Sequence, residues 1–269
     1  MPQDWVSYDS VAQTYGRLVS KRLAGPAQKL AAQLVGRVPP MCVLDVGTGT
    51  GVATHALQRM LTPESMVFGV DVSREMLLEA RRSGHFRLAV ADATLLPFPG
   101  ESFDVVMASF VMSHLLEPEA ALRDILRVLC PGGRFAATAW AEQGLPSSLQ
   151  SDWRSVASRY MPEELLDKAQ AAVVPSEDRF GKSENLRGEF VRCGFSDVEV
   201  MAYADEYEVS LEDHIAERAA YSGARFMRAT LPPDRWLEFL SEVGEYLSAR
   251  HPHVLSLDNS FLLAIGRKP

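Results

Sequence analysis

Short apolar runs alternate with helical patterns through the first half of the chain. Five runs of strand length are rich in Val and Phe and apolar on both faces: CVLDVG, MVFGVDV, FRLAVADA, FDVVMASF and GRFAATAW. Strands buried on both faces are typical of a parallel sheet covered by helices. The alternation therefore predicts a doubly wound α/β core over residues 41–140.

Helical spacing fills the stretches between these runs. In residues 117–129, apolar side chains recur every three or four positions, and the proline and glycines that follow are typical stop signals. Residues 52–61 and 74–82 have a similar texture. Before the first run, the apolar positions of residues 26–38 predict a helix that ends at the two following prolines.

The second half of the chain breaks this alternation. Strand character returns only in residues 195–203 and 260–269, and the segments 141–194 and 204–259 have helical and loop-like patterns. We therefore expect a seven-stranded, mostly parallel, Rossmann-like sheet with helices on both faces and a helical cap inserted in the C-terminal half. The cap segments are rich in aromatic side chains, which predicts that they line an acceptor pocket. The alternative is that these aromatics only pack the cap onto the sheet.

Composition and charge narrow the class of protein. The 269 residues are 47% hydrophobic and carry a net charge of −8. Residues 1–138 carry 13 basic and 13 acidic side chains, whereas residues 139–269 carry 14 and 22. Without a basic stripe, a nucleic-acid partner is not expected. No apolar run is long enough to span a membrane and the start lacks a secretory signal, so we expect a cytoplasmic protein. Three scattered cysteines indicate neither disulfides nor a metal site.

The sharpest motif is a glycine-rich turn between the first strand and its helix. It reads Asp45-Val46-Gly47-Thr48-Gly49-Thr50-Gly51. Such a turn lets a ligand approach the backbone and reach the free N–H groups of a helix N-terminus. However, Val52 stands where the dinucleotide fingerprint has its third glycine, and Asp45 would repel a pyrophosphate. The turn thus favours a cofactor without pyrophosphate and with a positive group near Asp45, which S-adenosylmethionine (SAM) satisfies.

With this turn the sequence resembles the class I SAM-dependent methyltransferases, over roughly residues 5–140. It is most similar to their small-molecule branch, which includes quinone-ring C-methyltransferases and natural-product methyltransferases. The resemblance implies that residues 41–140 bind SAM and its product S-adenosylhomocysteine (SAH). It assigns the following cofactor-binding residues: Asp45, Gly47, Gly49 and Gly51 to the methionine part, Asp71 to the ribose hydroxyls, Val72 and Met76 to the adenine faces, and Asp92 and Ala93 to the adenine edge.

Two further parts of the cofactor site follow from the same resemblance. Residues 1–40 would form an N-terminal helical lid in which Tyr8 and Tyr15 close over the cofactor, and Ser109 ends the fourth strand beside it. A ring over a sulfonium also has a cation–π rationale. The alternatives are that both tyrosines only pack a helix on the sheet, that the glycines form only a tight turn, and that Asp71 is only a helix N-cap.

His114 is the predicted catalytic residue. It follows the fourth strand by a few positions, which places it at the carboxyl edge of the sheet where an acceptor would meet the sulfonium. A neutral imidazole there can take a proton from the acceptor. His251 and His253, in the cap, are the rival bases, and His114 could instead only contact the cofactor or cap a loop.

The expected activity is methyl transfer from SAM to a small molecule by in-line displacement, a reaction that mainly requires alignment and exclusion of water. The sequence does not decide whether the acceptor atom is O, N or C. It also leaves the oligomeric state open between a monomer and a homodimer. One alternative is a non-methylating protein on the same scaffold, which binds the cofactor as structure or catalyses a cyclisation or rearrangement. A nicotinamide-dependent oxidoreductase is disfavoured by the glycine spacing and Asp45.

Overall fold

The computed structural model describes residues 5–35, 41–84, 87–142 and 147–269. Within them lie seven strands: β1 (Cys42–Val46), β2 (Met66–Asp71), β3 (Arg87–Val90), β4 (Phe103–Ser109), β5 (Leu129–Trp140), β6 (Ser196–Ser210) and β7 (Val254–Arg267). They form one sheet in the order β3-β2-β1-β4-β5-β7-β6. Only β7 runs antiparallel to its neighbours, so the predicted mostly parallel seven-stranded sheet is confirmed.

Helices cover both faces of this sheet. The α-helices of the described residues are α1 (Ala12–Thr14), α2 (Ser20–Leu34), α3 (Val52–Gln58), α4 (Arg74–Ser83), α5 (Pro118–Val128), α6 (Ser148–Ala157), α7 (Glu163–Val173), α8 (Glu177–Phe180), α9 (Ser183–Arg192), α10 (Leu211–Arg218), α11 (Ser222–Thr230) and α12 (Pro233–Ser248). Successive strand residues point to opposite faces. Val43 and Val105 therefore pack with α2 and α3, whereas Leu44 and Val106 pack with α5 and α9.

The helix predicted over residues 26–38 has different bounds in the structure. α2 begins at Ser20 and ends at Leu34, with Pro26 inside it. A proline cannot donate to the carbonyl four residues before it, which normally ends or kinks a helix. Here that carbonyl, of Arg22, accepts a hydrogen bond of 2.8 Å from Asn259 Nδ2, so the helix continues through the proline.

Two predictions about strands were wrong. The runs were expected to be buried on both faces, but β3 is largely exposed because it is an edge strand. The last two strands were expected at residues 195–203 and 260–269, but β6 and β7 remain paired as far as Ser210 and Val254. Their extension alternates exposed and less exposed residues, with acidic side chains among them, and these residues were therefore assigned to the cap segment 204–259.

The cap is helical, as expected, and has an apolar core of its own. Helices α6, α7, α10, α11 and α12 surround the extended ends of β6 and β7. The ring centroids of Trp153 and Trp236 lie 5.6 and 5.4 Å from that of Phe239. None of the helices in the described part of the chain combines the length and apolarity needed to cross a membrane.

Candidate active site

A cavity of about 680 Å³ lies at the carboxyl ends of β1, β2, β3 and β4. Its walls are the loops after these strands, residues 6–8 near the N-terminus and the C-terminal end of α7. The lining includes all but one of the predicted site residues: Tyr8, Tyr15, Asp45, Gly47, Gly49, Asp71, Val72, Met76, Asp92, Ala93, Ser109 and His114. Gly51 does not line the cavity and instead precedes α3 as its N-cap.

The glycine turn has the geometry that its sequence predicts. Gly47, Gly49 and Gly51 have φ angles of 65°, 54° and 84°, in the left-handed region that favours glycine. A Cβ atom on Gly47 would lie 2.3 Å from Val111 Cγ2, whereas a Cβ on Gly49 would meet no atom within 4 Å. Gly47 is thus required by packing, and Gly49 borders open space in the cavity.

Asp45 is a fully buried carboxylate with one free oxygen. Its Oδ2 accepts a hydrogen bond from Thr54 Oγ1, and Thr54 in turn lies 2.6 Å, Oγ1 to Oγ1, from Thr48. Its Oδ1 is buried and has no hydrogen-bond partner among the described residues. Burial raises the pKa of Asp45 to about 7. A cation placed beside Oδ1 would partner that oxygen and restore the charged form.

Asp71 ties the end of β2 to the glycine turn. Its Oδ2 accepts from the backbone N–H of Gly49 and its Oδ1 from that of Ser73, both at 2.9 Å. Burial raises the pKa of Asp71 above its ordinary value. The N-cap of α4 is Ser73, whose Oγ accepts from Met76 N, so Asp71 is not the N-cap. Carboxylate lone pairs remain for a ligand on the cavity side.

The wall after β2 and β3 has apolar faces and one polar edge. Val72 is 69% exposed although it lies on the cavity, and Met76 is buried beneath it in α4. Asp92 is exposed, and its Oδ1 accepts from Thr94 N and Thr94 Oγ1, both at 2.8 Å. Ala93 is buried next to it. An aromatic ring system would cover the exposed apolar surface and leave Asp92 at its edge.

His114 is positioned by a sharp turn at the end of β4. Phe110 has a φ of 57°, rare for a bulky residue, and is held by its N–H bond to the Thr138 carbonyl at 3.1 Å and by stacking on Trp140 at 4.0 Å. The short 3-10 helix Met112–His114 follows. His114 Nδ1 lies 2.9 Å from the carbonyl oxygen of Val173, and burial lowers the pKa of the imidazole.

Residues 5–11, which we call the lid segment, cross the cavity. The ring of Tyr8 makes edge contacts with the rings of Tyr15 and His114, with centroids 5.7 and 5.5 Å apart. Asp9 accepts hydrogen bonds from Ser73 Oγ and Glu75 N at the start of α4. Residues 1–40 were predicted to form a helical lid; within them α2 packs on the sheet, and its Leu23 and Ala27 also line the cavity. Residues 1–4 and 36–40 lie outside the described part.

The rival bases lie elsewhere. His251 Nε2 is 2.8 Å from Asp152 Oδ2, between the end of α12 and α6, and neither His251 nor His253 is among the described residues that line the cavity. The aromatic side chains of the cap segments are not among the described residues that line the cavity either: most fill the cap's own core, whereas Phe180 and Phe190 pack in the core of the sheet. The cap contributes Ala172, Val173 and Pro175 to the wall instead.

Sequence reasoning missed three functional contacts of this site. The Val173 carbonyl, being backbone, leaves no residue-type signal. Asp9 resembles any polar residue near a chain start. Arg225 was hidden among 27 basic residues, although its place in the run Ala224-Arg225-Phe226-Met227, whose other members are apolar, was a usable signal.

Comparison with known proteins agrees with this geometry. Residues 44–137 match a family described as Methyltransferase domain. The ubiquinone/menaquinone biosynthesis C-methyltransferase of Ectopseudomonas mendocina is 34% identical over 150 residues, which are 52% of this chain and 58% of that protein. The chain thus spans less than two thirds of this curated relative.

Solved structures share the fold along nearly the whole chain. The phosphoethanolamine N-methyltransferase 2 of Haemonchus contortus, in complex with SAM, has a TM-score of 0.58 at 18% identity and covers 97% of this chain and 57% of that one. The [4+2]-cyclase SpnF has a TM-score of 0.59 at 19% identity, with coverages of 97% and 93%. Residues 44–137 therefore form a methyltransferase domain, and nearly the whole chain shares the fold of these solved structures.

Proposed function

We propose that this chain is an enzyme that methylates a small molecule with SAM as the methyl donor. The observation that carries the proposal is the set of three strand-end carboxylates that line the cavity, Asp45, Asp71 and Asp92, of which Asp45 keeps a buried oxygen without a hydrogen-bond partner among the described residues. An unpartnered buried carboxylate oxygen destabilises a protein unless a ligand satisfies it. The α-ammonium group of SAM has the charge and the donors to do so.

The other residues on the cavity fit the remaining parts of SAM. The α3 N-terminus and the glycine turn present backbone N–H groups for the carboxylate of the methionine part. Asp71 would accept from the ribose hydroxyls, and Val72, Met76, Asp92 and Ala93 would surround the adenine. When bound, SAM supplies an electrophilic methyl group on a sulfonium.

The acceptor proposed for this site is mostly apolar and has one acidic proton. Beyond the cofactor-binding residues, the cavity wall is largely apolar, with polar atoms from His114 and Tyr8 among its exceptions. The apolar part of this wall includes Val6, Leu23, Ala27, Phe110, Val111, Leu115, Leu116, Ala172, Val173 and Pro175. Apolar walls with a few placed polar groups are typical of small-molecule sites.

His114 is the proposed general base. The Val173 carbonyl can only accept a hydrogen bond, so it fixes the neutral imidazole with the proton on Nδ1. The lone pair then lies on Nε2, which has no hydrogen-bond partner within the described chain and can take the acceptor proton. Burial favours the neutral imidazole, and Tyr8 and the cap exclude water around it.

The test is transfer of labelled methyl from SAM to members of a library of apolar hydroxy and amino compounds. We expect a labelled product and stoichiometric SAH with at least one compound. SAH binding without methyl transfer to any compound, together with rearrangement of one of them, would favour the cyclisation alternative. A cytoplasmic location belongs to the same proposal, and fractionation of producing cells should recover the protein without detergent.

A further inference from the structure

Arg225, in α11, is a buried cation that joins the cap to the lid segment. Only 4% of the surface of Arg225 is exposed. Nη1 donates a hydrogen bond of 2.8 Å to the Ser7 carbonyl, and the guanidinium carbon lies 4.6 Å from the ring centroid of Tyr8. Trp5 packs by its edge on the neighbouring Phe226, with centroids 5.2 Å apart.

This cation is poorly compensated. No carboxylate of residues 5–35, 41–84, 87–142 or 147–269 forms an ion pair with Arg225, and its buried Nε has no hydrogen-bond partner there. A buried charge of this kind costs folding free energy, and an apolar side chain of similar length is often no worse for stability. The contacts that Arg225 does make are with the lid segment, which indicates that its role concerns that segment.

We propose that Arg225 is a positioning residue that holds the lid segment closed over the cavity and thereby keeps Tyr8 against His114. This proposal rests on the proposed function as far as the ligand in the cavity is concerned. The contact of Arg225 with the lid segment does not depend on it. Cation–π contact with Tyr8 and a charge-assisted bond to the Ser7 carbonyl act together on two adjacent residues of the lid segment.

The same helix connects the lid segment to the base. Ser222, at the start of α11, donates a hydrogen bond to Gln170 of α7, and α7 ends at Val173, whose carbonyl holds His114. The cap therefore contacts the lid segment through Arg225 and His114 through the Val173 carbonyl. The positive charge of Arg225 also contributes to lowering the pKa of His114.

The experiment compares Arg225→Met, Arg225→Lys and the control Arg228→Met by amide hydrogen exchange, melting temperature and calorimetric SAH binding. Arg228 is exposed on the same helix. In Arg225→Met we expect exchange in residues 5–11 to be roughly tenfold faster or more, and SAH to bind correspondingly weaker, because charge-assisted hydrogen bonds typically contribute at least that factor. The melting temperature should be unchanged or higher. Arg225→Lys should restore part of both effects, and Arg228→Met should behave as wild type.

A double-mutant cycle with Tyr8→Ala separates the lid role from a general packing role. If Arg225 acts through the lid segment, Arg225→Met should weaken SAH binding less in the Tyr8→Ala background than in wild type. The proposal is overturned by wild-type exchange in residues 5–11 of Arg225→Met, or by a lower melting temperature with faster exchange spread over the sheet. If wild type binds no SAH, the proposed function fails, and the exchange data still decide the contact.

Discussion

The imidazole Nδ1 of His114 lies 2.9 Å from the backbone carbonyl of Val173, the last residue of α7. A residue of the core is thus held by the cap, 59 positions further along the chain. Because the carbonyl accepts the Nδ1 proton, Nε2 is the atom that can act as a base. The position of α7 therefore decides both the tautomer and the orientation of the ring.

His114→Ala should lower turnover of the acceptor at least tenfold while SAH affinity stays close to that of wild type, since general-base help typically contributes about 10²- to 10⁴-fold. His251→Ala is the matched control, because His251 is paired with Asp152 away from the cavity. Equal turnover in His114→Ala and wild type would leave alignment alone as the mechanism.

Turnover should also depend on pH in a defined direction. Burial lowers the pKa of His114, so its base form persists below the usual value of about 6.5. We expect kcat to fall only as pH drops through this lowered pKa, and NMR titration of the imidazole should give the same value. A midpoint above about 6.5 in both measurements would contradict the buried, neutral histidine.

Asp45→Asn should abolish detectable SAH binding and stabilise the empty protein at about pH 8. Burial raises the pKa of Asp45 from 3.8 to about 7, so the charged form destabilises the fold. That destabilisation grows as pH rises through this window and is complete above it, with an upper bound of about 4 kcal/mol at 1.36 kcal/mol per unit. Denaturant titrations at about pH 5 and pH 8 measure it. Equal effects of the substitution at both pH values would oppose this assignment.

Two substitutions in the glycine turn should differ in how they affect stability and SAH binding. Gly47→Ala should destabilise the fold by roughly 2–4 kcal/mol, because the left-handed φ and the overlap with Val111 both cost free energy. Gly49→Ala should cost only the φ term, roughly 1–2 kcal/mol, yet weaken SAH binding because its Cβ enters the cavity. Thermal unfolding and calorimetry separate the two, and normal SAH affinity in Gly49→Ala would exclude the cofactor from that space.

Local patterns were sufficient to predict the sheet, the strand-end carboxylates and the glycine turn. Asp45 and Asp71 lie at the carboxyl ends of β1 and β2, and Asp92 follows β3 by two residues, so chain order alone brings them to one edge. Val173 and Arg225 could not be placed in this way, since the packing of the cap brings Val173 to the cavity and Arg225 to the lid segment. β3 and the ends of β6 and β7 were misjudged because exposure depends on sheet order and on pairing between distant segments.

The cap's proposed part in acceptor binding can be tested at Ala172. Ala172→Phe should raise the KM for the acceptor roughly fivefold or more, since overfilling a site typically costs about 1–3 kcal/mol, and leave SAH affinity unchanged. Ala171→Phe is the control, because Ala171 and Ala172 are both exposed on the same helix and only Ala172 of the two lines the cavity. Equal kinetics for the two variants would remove this end of α7 from the acceptor region.

The most direct test of the whole account is calorimetric titration with SAH, with NAD⁺ as the comparison ligand, of wild type and Asp71→Ala. We expect wild type to bind one SAH per chain saturably and not to bind NAD⁺, and Asp71→Ala to bind SAH roughly 10- to 150-fold more weakly, the range expected for hydrogen bonds to a charged group. Absence of SAH binding to wild type, preference for NAD⁺, or unchanged SAH affinity in the variant would contradict it.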